Sequence, residues 1–406
     1  MSVAGQTQAR PWPLSRWDIA GAFGDIGVLF PITIALVSLN HMNPTAVFLA
    51  AGLAYILAGA YFRIPIPVQP FKAVAAIALA FQLPPSSIAS AGLLMGILFA
   101  CIGFTNLITP LSRLFTLPIV RGIQLGLGLI LVREGLRLAF GASAGVINVG
   151  GISVSSWQVA LAGGALLFLF QRSRRFPAAL LLLAAGVLLG TFGHGRGLSS
   201  FAMGPVPLDF LQPRADDLGK VLVALVLPQF ALTLGNSVVA TENTAQVLYG
   251  SQAGRVTARA LSLAIGMTNI VSAMFTAAPT CHGSGGVTAH YQFGARTPKS
   301  NYVIGAFCLF LALFGRGAVG ILGLIPTAIL GVFLVYVGVQ HSTFVRNILR
   351  QRVPLGIAVC VGLVSLWKTN LTYGFLLGFL LHAIAAGFTR VFKGRLRTGE
   401  STAPSS

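Results

Sequence analysis

Acidic side chains are almost missing from this chain. Eight Asp and Glu stand against 27 Lys and Arg in 406 residues, and charged residues make up only 9% of the whole. A soluble globular domain carries about 25%. So few carboxylates leave little material for acid–base chemistry, which works against a membrane enzyme built on the adjacent Cys281 and His282. Cysteine is sparse too: Cys101, Cys281, Cys308 and Cys360 form no CxxC pair, and three of them lie in apolar runs, where they read as small buried hydrophobes. Cys281 and His282 could begin a metal site, but His290 is eight residues on and no further Cys/His cluster joins them; zinc needs four ligands, or three and a water. No metal and no cofactor is therefore expected. A GxxxxGK[ST] phosphate loop is absent, so ATP is not the direct energy source in this chain. No cleavable signal peptide is recognisable, since residues 1–16 are polar and lead straight into the first apolar run.

What the chain has instead is apolar length. Hydrophobic residues are 55% of it, the composition of a polytopic membrane protein. The formal net charge of +19 would ordinarily suggest nucleic acid. Here the positive residues sit in short gaps between apolar runs, so no nucleic-acid partner is expected and the lipid bilayer is. A hydrocarbon core of ~30 Å needs about 20 apolar residues per helix. Spans are predicted near 18–38, 44–62, 70–82, 86–108, 117–138, 156–171 and 176–192, then 218–246, 258–277, 282–294, 301–315, 318–338, 354–367 and 371–389. This gives an all-α protein of seven plus seven spans. Residues 1–17 form an N-terminal segment, 18–192 and 218–389 two repeats, 193–217 a connector and 390–406 a tail. An odd number of spans per half makes the repeats inverted.

Charge placement agrees with that topology. One side receives Arg63, Arg113, the Arg172, Arg174 and Arg175 cluster, Arg255, Arg259, Arg296, Arg346, Arg350 and Arg352, together with both termini. The other receives Arg196, Arg214, Lys220, Arg316 and Lys368, with Asp209, Asp216 and Asp217. The positive-inside rule makes the first side, and both termini, cytoplasmic.

Two segments are too short and too polar to span alone: VQPFKAVAAIALA (68–80) and HGSGGVTAHYQFG (282–294). Each is third in its set of seven and follows a proline-containing break, RIPIPVQP or TAAPTCHG. Such a matched pair of interrupted segments is the sequence pointer to a transporter binding site. Near Pro70 the first half-helix begins, with Gln69 in its N-cap region and Phe71 and Lys72 in its first turn. A lysine there opposes the helix dipole unless an anion is supplied; pairing with Asp25 or Glu242 is the structural alternative. In the second segment Gly283, Ser284, Gly285 and Gly286 can turn their amides on one oxyanion, and His282 can add hydrogen bonds. Gln229, Thr233 and Asn236 share one helical face of LVLPQFALTLGNSVVATENTAQVLYG, lining a cavity or bonding to neighbouring helices. Asp25, flanked by glycines, and His282 are the proton-coupling candidates. Arg121 snorkels from the end of its span, and Glu134 pairs with Arg137 at i,i+3.

Four of these segments, GAFGDIGVLFP, IPIPVQPFKAVAA, LPQFALTLGNSVVAT and PTCHGSGGVTAHYQFGART, together resemble the molybdate transporter family, a branch of the sulfate permease superfamily. The resemblance runs from about Asp18 to the last span. It implies a seven-plus-seven inverted-repeat fold in which spans 1–4 and 8–11 form a core carrying the substrate site. Spans 5–7 and 12–14 form a gate, and the third and tenth spans are half-helices facing each other at mid-membrane. It implies molybdate as substrate, with sulfate as near mimic, and a homodimer. Typical sulfate permeases add a soluble C-terminal domain; the sequence ends at Ser406 without one, which is the expectation for the molybdate branch. The alternatives are a sulfate permease, and an anion channel or nucleobase-type symporter on the same fold. Alanine- and glycine-rich, short-looped composition suggests a bacterial inner membrane.

Overall fold

The computed structural model describes residues 14–24, 26–105, 107–108, 110–111, 116–141, 146–149, 152–170, 178–193, 204–212 and 215–399. Helices dominate. The first half runs α1 (Arg16–Gly24), α2 (Ile26–Leu39), α3 (Pro44–Phe62), α4 (Lys72–Phe81), α5 (Pro85–Thr105), α6 (Leu117–Phe140), α7 (Ser156–Phe170) and α8 (Ala178–Gly193). In the second half, α9 (Ala215–Val221), α10 (Leu227–Leu232) and α11 (Ala240–Tyr249) form one rod joined by π-helical turns at Leu222–Val226 and Thr233–Val239. There follow α12 (Ala258–Met274), α13 (Ser284–Gln292), α14 (Lys299–Leu313), α15 (Gly315–Leu324), α16 (Thr327–Ser342), α17 (Arg352–Lys368) and α18 (Leu371–Gly399). Among the described residues four helices are long and apolar enough to cross a bilayer: Pro44–Phe62, Pro85–Thr105, Asp217–Arg255 and Thr327–Ile348.

Two features depart from the sequence expectation. The run 318–338, expected as one span, is broken. α15 ends at Leu324 and α16 starts at Thr327, because Pro326 has no N–H to continue the ladder; α15 is also bent 85° from α14. The chain is moreover not purely helical. β1 (Gln69–Pro70) pairs antiparallel with β4 (Thr280–Cys281), and β2 (Val146–Val149) with β3 (Ile152–Ser155). The β1–β4 ladder is only two residues long. Gln69 faces Cys281 and Pro70 faces Thr280, and the Phe71 amide extends it by donating to Pro279 O at 2.9 Å. It joins segments more than 200 positions apart in the chain, inside the protein.

Proline-rich extended backbone cannot satisfy itself in an apolar interior. Two asparagines do it instead. Asn301 accepts from Ile66 N at 3.0 Å and donates to Ile66 O at 2.7 Å. Asn269 accepts from Thr280 N at 2.8 Å and donates to Thr280 O at 2.7 Å. Each side-chain amide acts as a strand neighbour of one residue. Both asparagines are fully buried.

Helices of the two halves meet through glycine. α6 and α16 cross where Gly128 opposes Gly338 and Gly135 opposes Gly331; a Cβ on Gly135 would stand 2.5 Å from Gly331 O, and one on Gly331 would stand 2.5 Å from Gly135 O. Gly52 on α3 and Gly305 on α14 are reciprocal in the same way. With lipid tails as apolar as leucine, such close backbone approach is what holds membrane helices together.

Residues 204–212 run without regular structure across helix ends. Pro207 O accepts from Asn43 Nδ2 at 2.6 Å, Val206 N donates to Thr45 Oγ1 at 2.8 Å, and Thr45 Oγ1 donates to Ala312 O at 3.1 Å. Further along, Leu211 N donates to Met274 O and Thr276 Oγ1 to Asp209 O, both at 3.1 Å.

Overpacking a filled contact costs about 1–3 kcal/mol or more. Gly331→Leu is therefore expected to lower the melting temperature of the detergent-purified protein and its monodisperse yield. Gly164→Ala, on α7 with nothing within 4 Å of the new methyl, is expected to leave both unchanged or slightly raised.

Candidate anion-binding site

The β1–β4 pair brings the N-terminal ends of α4 and α13 together. Lys72 is the first residue of α4 and Ser284 the first of α13. Lys72 is only 5% exposed, and its Nζ donates to Gln69 Oε1 at 2.6 Å. A Cβ built on Gly283 would stand 3.5 Å from Lys72 Nζ and 3.6 Å from Asn236 Nδ2. Asn236 Oδ1 accepts from the Ser284 hydroxyl at 2.9 Å. Lys72, Gln69, Asn236, Gly283 and Ser284 thus converge, as the sequence expects. Gly286 must lack a side chain: a methyl there would sit 2.5 Å from Pro67 Cβ and 2.7 Å from Gln69 Nε2.

The two helix ends are not equivalent. On α4 the Phe71 amide is taken by Pro279 O, which corrects the expectation that it faces an anion; the Phe71 ring is buried in the apolar core. Gln229 Oε1 accepts from Ala73 N at 2.9 Å and Val74 N at 3.4 Å, and its Nε2 donates to Thr233 Oγ1 at 2.8 Å. Gln229 and Thr233, both fully buried, serve as a cap reaching across from another helix. α13 has no such cap. Its N-cap is Gly283, without a side chain, and the first bonds of the helix run from Gly286 N and Val287 N to Gly283 O, at 3.0 and 3.2 Å. The amides of Ser284 and Gly285 precede them, in the turn where helix donors are left over. Ser284 is half-buried and Gly285 exposed. α13 therefore offers the open, positive dipole end.

His282 does not join the cradle as a simple donor. Its Nδ1 lies 2.8 Å from Pro67 O. A carbonyl only accepts, so Nδ1 carries the proton and Nε2 is a bare acceptor, buried with no hydrogen-bond partner. The ring meets Phe62 edge-on and lines a cavity of about 330 Å³ with Ala54, Leu57, Ala58 and Met267. Asp25 lies outside the described residues. Glu242 makes no ion pair with Lys72. His290 points away from the cradle, bonding Gly21 O at 2.8 Å.

Elsewhere, Glu134 is held by Arg133 at 2.9 Å as well as by Arg137 at 3.6 Å, so the nearer partner is the adjacent residue. Arg296 stacks over Tyr291 at 3.5 Å and bonds the Tyr291 and Ala295 carbonyls. Arg121 does more than snorkel: it bonds Asn347 and Gln124 and lies over Phe344. The two clamping asparagines, Asn269 and Asn301, carried a usable signal, a lone amide in an apolar span. The cap role of Gln229 carried none.

Removing the Gln229 amide would leave two buried donors unmatched, at about 1–3 kcal/mol. Gln229→Ala is expected to lower thermal stability measurably in a fluorescence melt, and Thr233→Val by less, since it costs Gln229 one bond but leaves the α4 cap in place.

A family profile described as molybdate transporter of MFS superfamily matches residues 18–131 and 221–340. Molybdate transporter 2 of Arabidopsis thaliana is 28% identical over 92% of this chain and 87% of its own length. Molybdate transporter 1 of Chlamydomonas reinhardtii is 26% identical over 93% of each. Among solved structures, the transmembrane domain of the cyanobacterial bicarbonate transporter BicA superposes with a TM-score of 0.64 at 17% identity, covering 90% of this chain and 96% of that one. SLC26A9 superposes with a TM-score of 0.65 at 16% identity, over 92% of this chain; the present chain spans 65% of the SLC26A9 chain. The backbone thus follows the fold of SLC26A9 and BicA, whatever superfamily the profile's description gives. The profile match covers more than half of the sequence, and the chain is an integral membrane protein, not an enzyme, that belongs to the molybdate transporter family.

Proposed function

We propose that this chain is a secondary active transporter of a tetrahedral oxyanion, molybdate first and sulfate second. The observation that carries the reading is the convergence of Lys72, Asn236 and the Ser284 hydroxyl on the uncapped end of α13. Buried cations and first-turn amides favour an anion strongly in a low-dielectric interior. The relatives named molybdate transporters supply the substrate. Donor geometry suits either oxyanion, so the ranking rests on those relatives.

Alternating access follows from the division of labour. α1–α5 with α9–α14 make a core holding the cradle; α6–α8 with α15–α18 make the gate. Seven-plus-seven inverted pseudosymmetry is supported by the helix pairings. Span 2 packs on span 11 and span 9 on span 4, and these two contacts exchange when one repeat is laid on the other. The cytoplasmic placement of both termini rests on the lysine and arginine bias. Moving a dianion inward against a negative-inside potential costs ~2.3 kcal/mol per charge per 100 mV. A symported proton offsets this, with the bare Nε2 of His282 or the Asp25 carboxylate as carrier.

Labelled molybdate uptake should be inhibited by excess tungstate and sulfate and untouched by uracil; inhibition by uracil alone would remove the oxyanion reading. Losing charge-assisted bonds costs about 1.5–3 kcal/mol, so Lys72→Ala should weaken apparent affinity roughly ten- to a hundredfold. Ser284→Ala should weaken it less. Unchanged affinity in both means the cradle is elsewhere. Uptake into vesicles should rise with an inwardly directed pH gradient, and insensitivity to the gradient rules out proton coupling. Saturable, concentrative uptake separates a transporter from a channel.

A further inference from the structure

A second cation shares an aromatic neighbour, Phe344, with the open side of the cradle. Ser284 and Gly285 are its accessible part, and Phe344 stands before them, its Cζ 4.0 Å from where a Gly285 Cβ would be. Phe344 lies in the 3₁₀ turn Thr343–Ile348 that follows α16. Against the same ring lies Arg121 of α6, with the guanidinium carbon 5.7 Å from the ring centroid. Two gate elements, α6 and the turn after α16, therefore meet at Phe344 beside the cradle.

Arg121 is half-buried and its partners are neutral. Nε donates to Asn347 Oδ1 at 3.0 Å and Nη1 to Gln124 Oε1 at 2.7 Å. Among the described residues no carboxylate lies within ion-pair distance of it, and Nη2 donates to no protein acceptor. Two fixed bonds and a ring face lock the head group while one edge of the fork stays open. A partly desolvated guanidinium without a counter-charge is unfavourable. Arginine, held rigid by neutral amides, presents its remaining donors in a geometry suited to an oxyanion.

We propose that Arg121 is a second anion position on the transport path, separated from the Gly283–Ser284 cradle by the Phe344 ring. A small tetrahedral dianion leaving or entering the cradle passes Phe344 and is held transiently on the open edge of Arg121. Asn347 and Gln124 are positioning residues that aim that edge. The proposal rests on the anion reading of the cradle. It adds a gate-borne contact, so that the substrate is handed between core and gate rather than released directly into water.

The test uses the full chain in proteoliposomes, with molybdate binding by calorimetry and molybdate uptake measured side by side. Arg121→Gln should leave the equilibrium molybdate affinity within about threefold and slow maximal uptake about tenfold or more, ~1.4 kcal/mol in the barrier. Arg121→Lys keeps the charge but loses the aimed fork, and should recover only part of the rate. Asn347→Asp keeps the arginine but gives it a carboxylate, and should slow uptake as Arg121→Gln does; it decides the matter if the glutamine variant does not fold. Uptake at the wild-type rate in Arg121→Gln overturns the second position. So does a rate in Arg121→Lys as low as in Arg121→Gln together with wild-type uptake in Asn347→Asp, which marks a structural bond. Loss of binding in Arg121→Gln equal to that in Lys72→Ala also overturns it, by making Arg121 part of the cradle. If the wild-type protein binds no molybdate, the cradle reading fails and this inference with it; if it binds and only the Arg121 outcomes fail, the cradle stands alone.

Discussion

Two backbone residues on each side hold the centre of this protein together. Gln69–Pro70 and Thr280–Cys281 form a ladder too short to be stable alone, yet everything near the cradle is referenced to it. It fixes the relative position of two helix starts that belong to different halves of the chain. The Phe71 amide and Pro279 carbonyl extend it, and Asn269 and Asn301 complete the hydrogen bonding of its flanks. In an interior without water, those side-chain amides are what make extended backbone tolerable. Loosening the ladder would let Lys72 and Ser284 drift apart.

The same accounting of donors explains why the two helix ends differ. α4 begins with the amides of Phe71, Ala73 and Val74 already matched by Pro279 and Gln229, so its main contribution to the cradle is Lys72, a charge. α13 begins with glycine and carries no cap, so what it contributes is backbone. One end offers a cation and the other a set of directed N–H groups. A tetrahedral dianion can use both at once, whereas two open helix ends facing each other without an anion would repel.

The sequence made the two short segments legible because proline breaks and glycine runs are local and unusual in an apolar chain. Lys72, Ser284 and Gly283 followed from them directly. The ladder was not legible: two residues have no period-2 signature, and one of the four is a proline. Gln229 stood out as polar on a buried face, but whether such an amide meets a ligand or a neighbouring helix depends on a contact 156 positions away. Arg121, near a span end, reads in sequence as an interfacial anchor; only the fold brings Asn347 and Phe344 to it. Pro326 breaks the span expected over 318–338, as Pro70 and Pro279 break theirs, but without a glycine run beside it to mark the interruption in sequence.

The run 204–212 has no helix and no strand, and in sequence it is a spacer. Its carbonyls and amides are nonetheless tied to Asn43 and Thr45 at the start of α3, and to Met274 and Thr276 at the end of α12. A cord knotted at several points to neighbouring rods resists their sliding while leaving them free to tilt as a bundle. The loop that separates the two halves in sequence is thus also a lashing between α3 and the end of α12, one helix from each half. Its length, set between fixed knots, limits how far either of them can travel without the other.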